Sequence, residues 1–176
     1  MNTDASFEIV PVWNNVTPER SAELIDLWAR SGAIAGPVNA IVRAREAVCM
    51  ARAADGTVCG VGTASIRVLP RLRQPMYFYR QFFAPEFRGH RQTAPFFLRA
   101  RQVLQDHNAA LAVPESLGLL MELENPQLAS RYTLAVEAGT VFIGYSPRGM
   151  QLRVAYFDDA RLLPPAAPRA HAAAPL

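Results

Sequence analysis

The dipeptide Asp55-Gly56 stands between two strand-like runs, Val48 to Ala54 and Val58 to Leu69. A D-G pair in that setting is a strong hairpin signal, because both central residues of a tight turn need positive φ. The middle of the chain is thereby committed to a long antiparallel pair. Across such a turn Cys59 is expected to face Arg52 rather than Cys49, so the two cysteines are not disulfide partners. With neither a disulfide framework nor a C-x-x-C pair, a reducing compartment is the natural inference.

Around that hairpin the remaining residues must fill a core. At 176 residues the chain fits one domain, and 51% apolar against 19% charged residues suffices to bury a sizeable interior. All 18 basic residues are arginine. The absence of lysine excludes a pyridoxal Schiff base, the phosphate-reaching lysine of a Walker P-loop and the nucleotide-site lysine of a kinase. A net charge of +3 with scattered arginines does not read as a nucleic-acid surface. The densest group, Arg80, Arg88, Arg91, Arg99 and Arg101, suits a small phosphorylated ligand better than a polymer. No run approaches the roughly 18 apolar residues of a membrane span and the start lacks a signal peptide, so a cytoplasmic protein that avoids membranes is expected.

Residues 1–162 read as a single domain and 163–176 as a disordered Pro/Ala-rich tail. Phe7 to Trp13 is strand-like, and Thr17-Pro18 opens a helix that Ser31-Gly32 closes. A shorter helix is expected from Pro37 to Glu46. Pro75 to Ala84 is an aromatic strand, and Pro95 to His107 carries Phe96, Phe97, Ala100, Val103 and Leu104 at helical spacing. Leu117 to Leu123 follows as a strand. Asn125-Pro126 then caps a helix with an apolar face of Leu128, Ala129, Tyr132, Ala135 and Val136, stopped by Gly139. Strands Val141 to Tyr145 and Gln151 to Phe157 flank the turn Ser146-Pro147-Arg148-Gly149. The order is β, α, α, β, β, β, α, β, α, β, β.

That order resembles the GNAT N-acetyltransferase superfamily over nearly the whole chain up to the tail. Phe83-Ala84-Pro85-Glu86-Phe87-Arg88-Gly89 is similar to the end of the family's fourth strand, where a proline and an aromatic lead into an Arg-Gly loop. Asn125 followed seven residues later by Tyr132 is similar to its second signature, with the tyrosine on the fourth helix. The resemblance implies an α+β fold, a mostly antiparallel twisted sheet of about seven strands flanked by helices. It also implies acetyl-CoA or another acyl-CoA as co-substrate; no metal is expected, because Cys49, Cys59 and the histidines have no standard zinc-ligand spacing.

The loop Arg88-Gly89-His90-Arg91-Gln92-Thr93 would supply the backbone N–H groups that cradle the CoA pyrophosphate at a helix N-terminus. Phe83, Pro85 and Asn125 complete the implied donor site. The family's pattern is Gln/Arg-x-x-Gly-x-Gly/Ala, and here Arg91 and Thr93 replace the two small residues. They either narrow the pocket or compensate with a guanidinium and a hydroxyl on phosphate. The pantetheine arm is expected in a gap between Tyr79 to Pro85 and Leu119 to Asn125.

Direct acyl transfer to an amine needs a base for the ammonium and an acid for the thiolate. Tyr132 is carried over as the acid, a phenol with a reference pKa near ~10 suiting that task; a core tyrosine is the equal alternative. Glu122 and Glu124 are the base candidates, and Tyr79 with Gln81 share a face of the fourth strand. Glu124 also suits a helix N-terminus electrostatically. The acceptor expected is a primary amine of a small molecule or peptide, and a homodimer is left open. Two alternatives stand beside this reading: an acyl carrier protein as donor, attracted by Arg88, Arg91 and Arg99, and a non-catalytic CoA-binding or protein-interaction module.

Overall fold

The computed structural model describes residues 7–88 and 93–166. These residues form two compact units, residues 7–65 with 79–88 and 93–110, and residues 66–78 with 111–166. Strands β3 (Val58–Val68) and β4 (Pro75–Phe83) each begin in one unit and end in the other.

In the first unit, β1 (Phe7–Pro11) pairs antiparallel with β2 (Ala47–Ala53), and β2 with β3. Helix α1 (Pro18–Ser31) starts where the Thr17 side chain accepts the Arg20 N–H at 3.3 Å. It ends at Gly32, whose φ of 59° only a residue without Cβ adopts freely. Its stripe of Leu24, Leu27 and Trp28 buries against Val12, Met50, Val61 and Ala84. Helix α2 (Pro37–Arg45) contributes only Ala40 and Ala44 to that core and leaves Val38, Ile41 and Val42 exposed. Helix α3 (Thr93–Ala110) buries Phe96, Ala100, Leu104 and Asn108.

The hairpin turn differs from its expected form. Only Gly56 has positive φ, at 84°, and the Gly56 N–H donates to the Ala53 carbonyl at 2.9 Å while Ala53 N–H donates to the Thr57 carbonyl at 2.9 Å. This is a three-residue loop, a type I turn closed by a left-handed glycine, so Asp55 escapes the strained conformation. The Asp55 carboxylate instead accepts the Thr57 N–H at 2.9 Å. A bulge follows, with Val58 opposite Arg52 and Gly60 opposite Ala51. Cys59 is therefore the extra residue and does not face Arg52 as expected; Cys49 lies opposite Gly62, and both thiols are buried and free.

The second unit holds β5 (Gly118–Glu122), α4 (Pro126–Ala129), β6 (Val136–Glu137), β7 (Thr140–Tyr145) and β8 (Gln151–Tyr156). Its core is Met76, Phe78, Leu117, Leu120 and Val154. Residues Tyr77 and Phe78 of β4 run parallel to Leu119 and Leu120, whereas β5 with β8, β8 with β7 and β7 with β6 are antiparallel. Among the described residues the sheet has eight strands in the order β1-β2-β3-β4-β5-β8-β7-β6. The strand beyond the seven expected is β6, which occupies residues assigned by periodicity to the helix after Asn125. That helix is a single turn ending at Ala129, so Tyr132 lies past it rather than on it.

The expected loose tail begins with residues that are held. Gln74 donates to the Leu163 carbonyl at 2.8 Å and accepts the Leu163 N–H at 2.9 Å, and the Arg73 carbonyl accepts the Ala166 N–H at 2.9 Å. Residues 167–176 lie outside the described residues.

Candidate functional site

The first unit carries the strand, turn and helix that the resemblance assigns to donor binding. Phe83 ends β4 with its ring packed on Phe7 at 5.3 Å and Phe96 at 5.1 Å, so it is a core residue. Pro85 opens a 3-10 turn over Pro85–Phe87. Arg88 folds back: its Nε donates to the Phe83 carbonyl at 2.9 Å and its guanidinium lies 5.3 Å from the Phe82 ring centre. Its side chain thus fastens the loop to the end of β4, a role for which the sequence offered no signal. Gly89, His90, Arg91 and Gln92 lie outside the described residues.

Thr93 opens α3, and its carbonyl accepts the Gln81 side-chain amide at 3.3 Å. Gln81 in turn accepts the Tyr79 hydroxyl at 2.9 Å. This relay joins β4 to the first turn of α3, the end at which the helix dipole favours an anion. Burial first, and Cys49 second, push the Tyr79 hydroxyl pKa well above its ordinary value, so the phenol stays a donor. Burial likewise pushes the Cys49 thiol up to about 12.

The second unit gathers the candidate carboxylates. Arg148, on the β7–β8 turn, places Nη2 at 2.8 Å from Glu122 Oε2 and 2.7 Å from Glu124 Oε1. The Glu122 side chain is 10% exposed, while those of Glu124 and Arg148 are 53% and 55% exposed. The hydrogen bonds to Glu122 and then to Glu124 raise the Arg148 pKa, keeping it a cation. Arg148 engages both oxygens of Glu122, at 3.3 Å and 2.8 Å, so an amine reaches Glu122 by drawing Arg148 aside, whereas Glu124 is engaged through Oε1 alone. Beside this group lies a recess of about 280 Å³, with Phe78, Leu69, Leu120 and Leu152 in its walls and Glu122, Arg148 and Arg67 among its polar groups. The Arg67 guanidinium lies 4.2 Å above the Phe78 ring.

Asn125 caps α4, its Oδ1 accepting the N–H groups of Gln127 at 2.9 Å and Leu128 at 3.4 Å. Tyr132 is half-buried under the Arg153 guanidinium, 4.9 Å from its ring centre. Arg153 is itself buried, donating to Thr140 Oγ1 at 2.8 Å, the Leu134 carbonyl at 2.8 Å and Gln151 Oε1 at 3.2 Å. The sequence reading missed both Arg148 and Arg153. The signal for Arg153 was a lone cation at an inward position of an apolar strand.

Among the described residues no three His, Cys, Asp or Glu side chains gather to hold a metal ion, and no helix is long and apolar enough to cross a membrane. No family model and no curated protein matches the sequence. Solved structures do match. A GNAT-family acetyltransferase from Listeria monocytogenes is 13% identical, with 84% of this chain and 93% of that one covered and a TM-score of 0.54. A histone acetyltransferase HPA2-related protein from Corynebacterium glutamicum is 17% identical over 93% of this chain and 99% of that one, with a TM-score of 0.51. A dodecameric spermidine N-acetyltransferase from Vibrio cholerae is 13% identical over 85% and 92%, with a TM-score of 0.50.

The chain has the GNAT fold. The open, mostly antiparallel sheet matches that of these neighbours. Along the chain β4 is followed by the Pro85–Phe87 turn and α3, the elements that flank residues 88–93. The element that departs is the shortened α4.

Proposed function

We propose that this chain is an acyl-CoA-dependent N-acyltransferase, with acetyl as the group transferred. The observation that carries the reading is the GNAT fold itself, with the unit of β4, proline turn and α3 N-terminus inside it. In the reaction the amine nitrogen attacks the thioester carbonyl carbon. The N–C bond forms, the C–S bond breaks, the ammonium proton goes to a base and the thiolate takes a proton from an acid. No covalent enzyme intermediate is involved, which agrees with buried, neutral thiols at Cys49 and Cys59.

In this reading residues 88–93 bind the pyrophosphate at the start of α3, with Phe83 and Pro85 shaping the approach. Glu122 or Glu124 serves as base once released by Arg148, and Tyr132 serves as acid from the loop after α4. Asn125 acts by fixing that loop through its cap. The acceptor is a primary amine. Self-association belongs to the reading as well, because one neighbour of the fold is a dodecamer.

A second reading, a non-catalytic CoA-binding or interaction module, is favoured by Arg91 and Thr93 at the two small-residue positions and by the occupation of both carboxylates. An acyl carrier protein donor draws less support, since Arg88 is turned back onto β4.

A thermal melt with acetyl-CoA and a thiol-release assay with a panel of amines separate these readings. Ligand at ~100 times its Kd stabilises the fold by about 2.7 kcal/mol. Stabilisation with thiol release supports transfer, stabilisation without release supports the binding module, and neither sinks both. Tyr132→Phe is expected to lower kcat at unchanged donor KM. An equal fall in stability and activity would return Tyr132 to a packing role.

A further inference from the structure

The recess of the second unit bears on the acceptor, an inference that rests on the transferase reading. It lies at the small end of ligand pockets, which begin near about 300 Å³, and its volume of about 280 Å³ admits one compact molecule rather than a peptide. Leu69, Leu120, Leu152 and Phe78 make its walls apolar. At one side sits Glu122, a carboxylate only 10% exposed, and the group drawn against it is the guanidinium of an exposed residue in the short connection between β7 and β8.

Charge decides what can enter. Arg148 bridges Glu122 and Glu124, so its guanidinium is already engaged by carboxylates, while the Arg67 guanidinium lies over the face of Phe78. An anion entering beside Glu122 would set its charge against that carboxylate, only 10% exposed, which is costly. A cation replaces Arg148 one for one. Its charge meets the same oxygens while Arg148, 55% exposed, swings into water. Release is local, because the turn is held by its own bonds, Ser146 N–H to the Met150 carbonyl at 2.8 Å and Gly149 N–H to the Ser146 carbonyl at 2.9 Å.

We propose that the recess beside Glu122 binds a small, singly charged primary amine with an apolar body, and that Arg148 is an internal cation which this amine displaces from Glu122 and Glu124. The alkyl or aryl body packs on Leu69, Leu120 and Leu152, and the ammonium is held by the two carboxylates. A polyamine fits poorly, since its second charge would lie against those leucines.

The test is equilibrium binding without any acyl donor, so that it does not depend on transfer. Calorimetric titration of the full chain with 2-phenylethylamine is expected to show saturable binding about tenfold or more tighter than 2-phenylethanol, phenylacetate or spermidine. Arg148→Ala, an exposed substitution, is expected to tighten 2-phenylethylamine about tenfold by removing the internal competitor. Glu122→Gln is expected to abolish binding, with a thermal melt confirming that the variant is folded. If spermidine or phenylacetate binds more tightly, or if Arg148→Ala leaves the affinity unchanged, the proposal is overturned. Amine binding without acyl transfer would sink the transferase reading alone, and transfer to 2-phenylethylamine undiminished in Glu122→Gln would sink the pocket assignment alone.

Discussion

Gly60 lacks a side chain because Phe83 fills the space one would need. A Cβ there would stand 2.4 Å from Phe83 Cδ1 and 3.2 Å from the Phe82 carbonyl oxygen. The ring cannot retreat freely, since Phe7 and Phe96 pack on it. Gly60→Ala is therefore expected to destabilise the fold by about 1–3 kcal/mol, the usual cost of overpacking. Urea unfolding checks this, and adding Phe83→Leu should recover part of the loss because the two sites share one contact. The cysteines give a second residue-scale prediction. Burial raises Cys49 to about 12 and Cys59 to about 11, whereas an unfolded thiol ionises near ~8.5. A pKa raised by folding means stability that is full below pH ~8.5 and is lost as pH climbs toward about 11. Unfolding midpoints measured from pH 8 upward should fall, and Cys49→Ala should flatten the fall; an unchanged slope would contradict thiol burial. None of these close contacts was legible in the sequence, which shows Gly60 and Phe83 only as members of separate strands.

Among the elements, those with local signals were readable and the one overruled by distant contacts was not. Thr17-Pro18 and Gly32 bounded α1 because caps are chemistry of adjacent residues. The stretch after Asn125 carries an equally good cap and an apolar period, yet it leaves the helix at Ala129. Its carbonyls are taken from outside: Leu134 accepts from Arg153, and Ala135 accepts the Phe142 N–H at 2.7 Å. Those bonds hold residues 134 and 135 so that Val136–Glu137 pair with β7 as a strand, and no window of local sequence contains Arg153. Removing that cation leaves Thr140 Oγ1 and the Leu134 carbonyl without a donor, at a cost of about 1–3 kcal/mol. Arg153→Met is accordingly expected to destabilise the protein by that amount and to speed hydrogen exchange at Phe142 well beyond the exchange at β2 amides. Unchanged exchange at Phe142 would show that the segment holds itself. The candidate site follows the same division. The loop residues stood in one readable run, while the Arg148 bridge to Glu122 and Glu124 joins a turn and a strand 24 to 26 residues apart.

At the scale of the whole molecule, chain connectivity ties the two units together, since β3 and β4 each contribute backbone to both. Unfolding the second unit releases the ends of two strands whose other halves carry Val58, Val61 and Phe83 in the first unit's interior. One cooperative transition is the expectation, and the tryptophans allow a clean check. Both of them, Trp13 and Trp28, belong to the first unit, so tryptophan fluorescence follows that unit whereas far-ultraviolet circular dichroism follows the entire sheet. The two probes should report coincident midpoints in urea. More tellingly, Arg153→Met, a substitution confined to the second unit, should lower the fluorescence midpoint as much as the dichroism midpoint, and should add to Gly60→Ala within a few tenths of a kcal/mol. A fluorescence transition untouched by Arg153→Met would mean that the strands fray at the boundary and that each unit melts on its own.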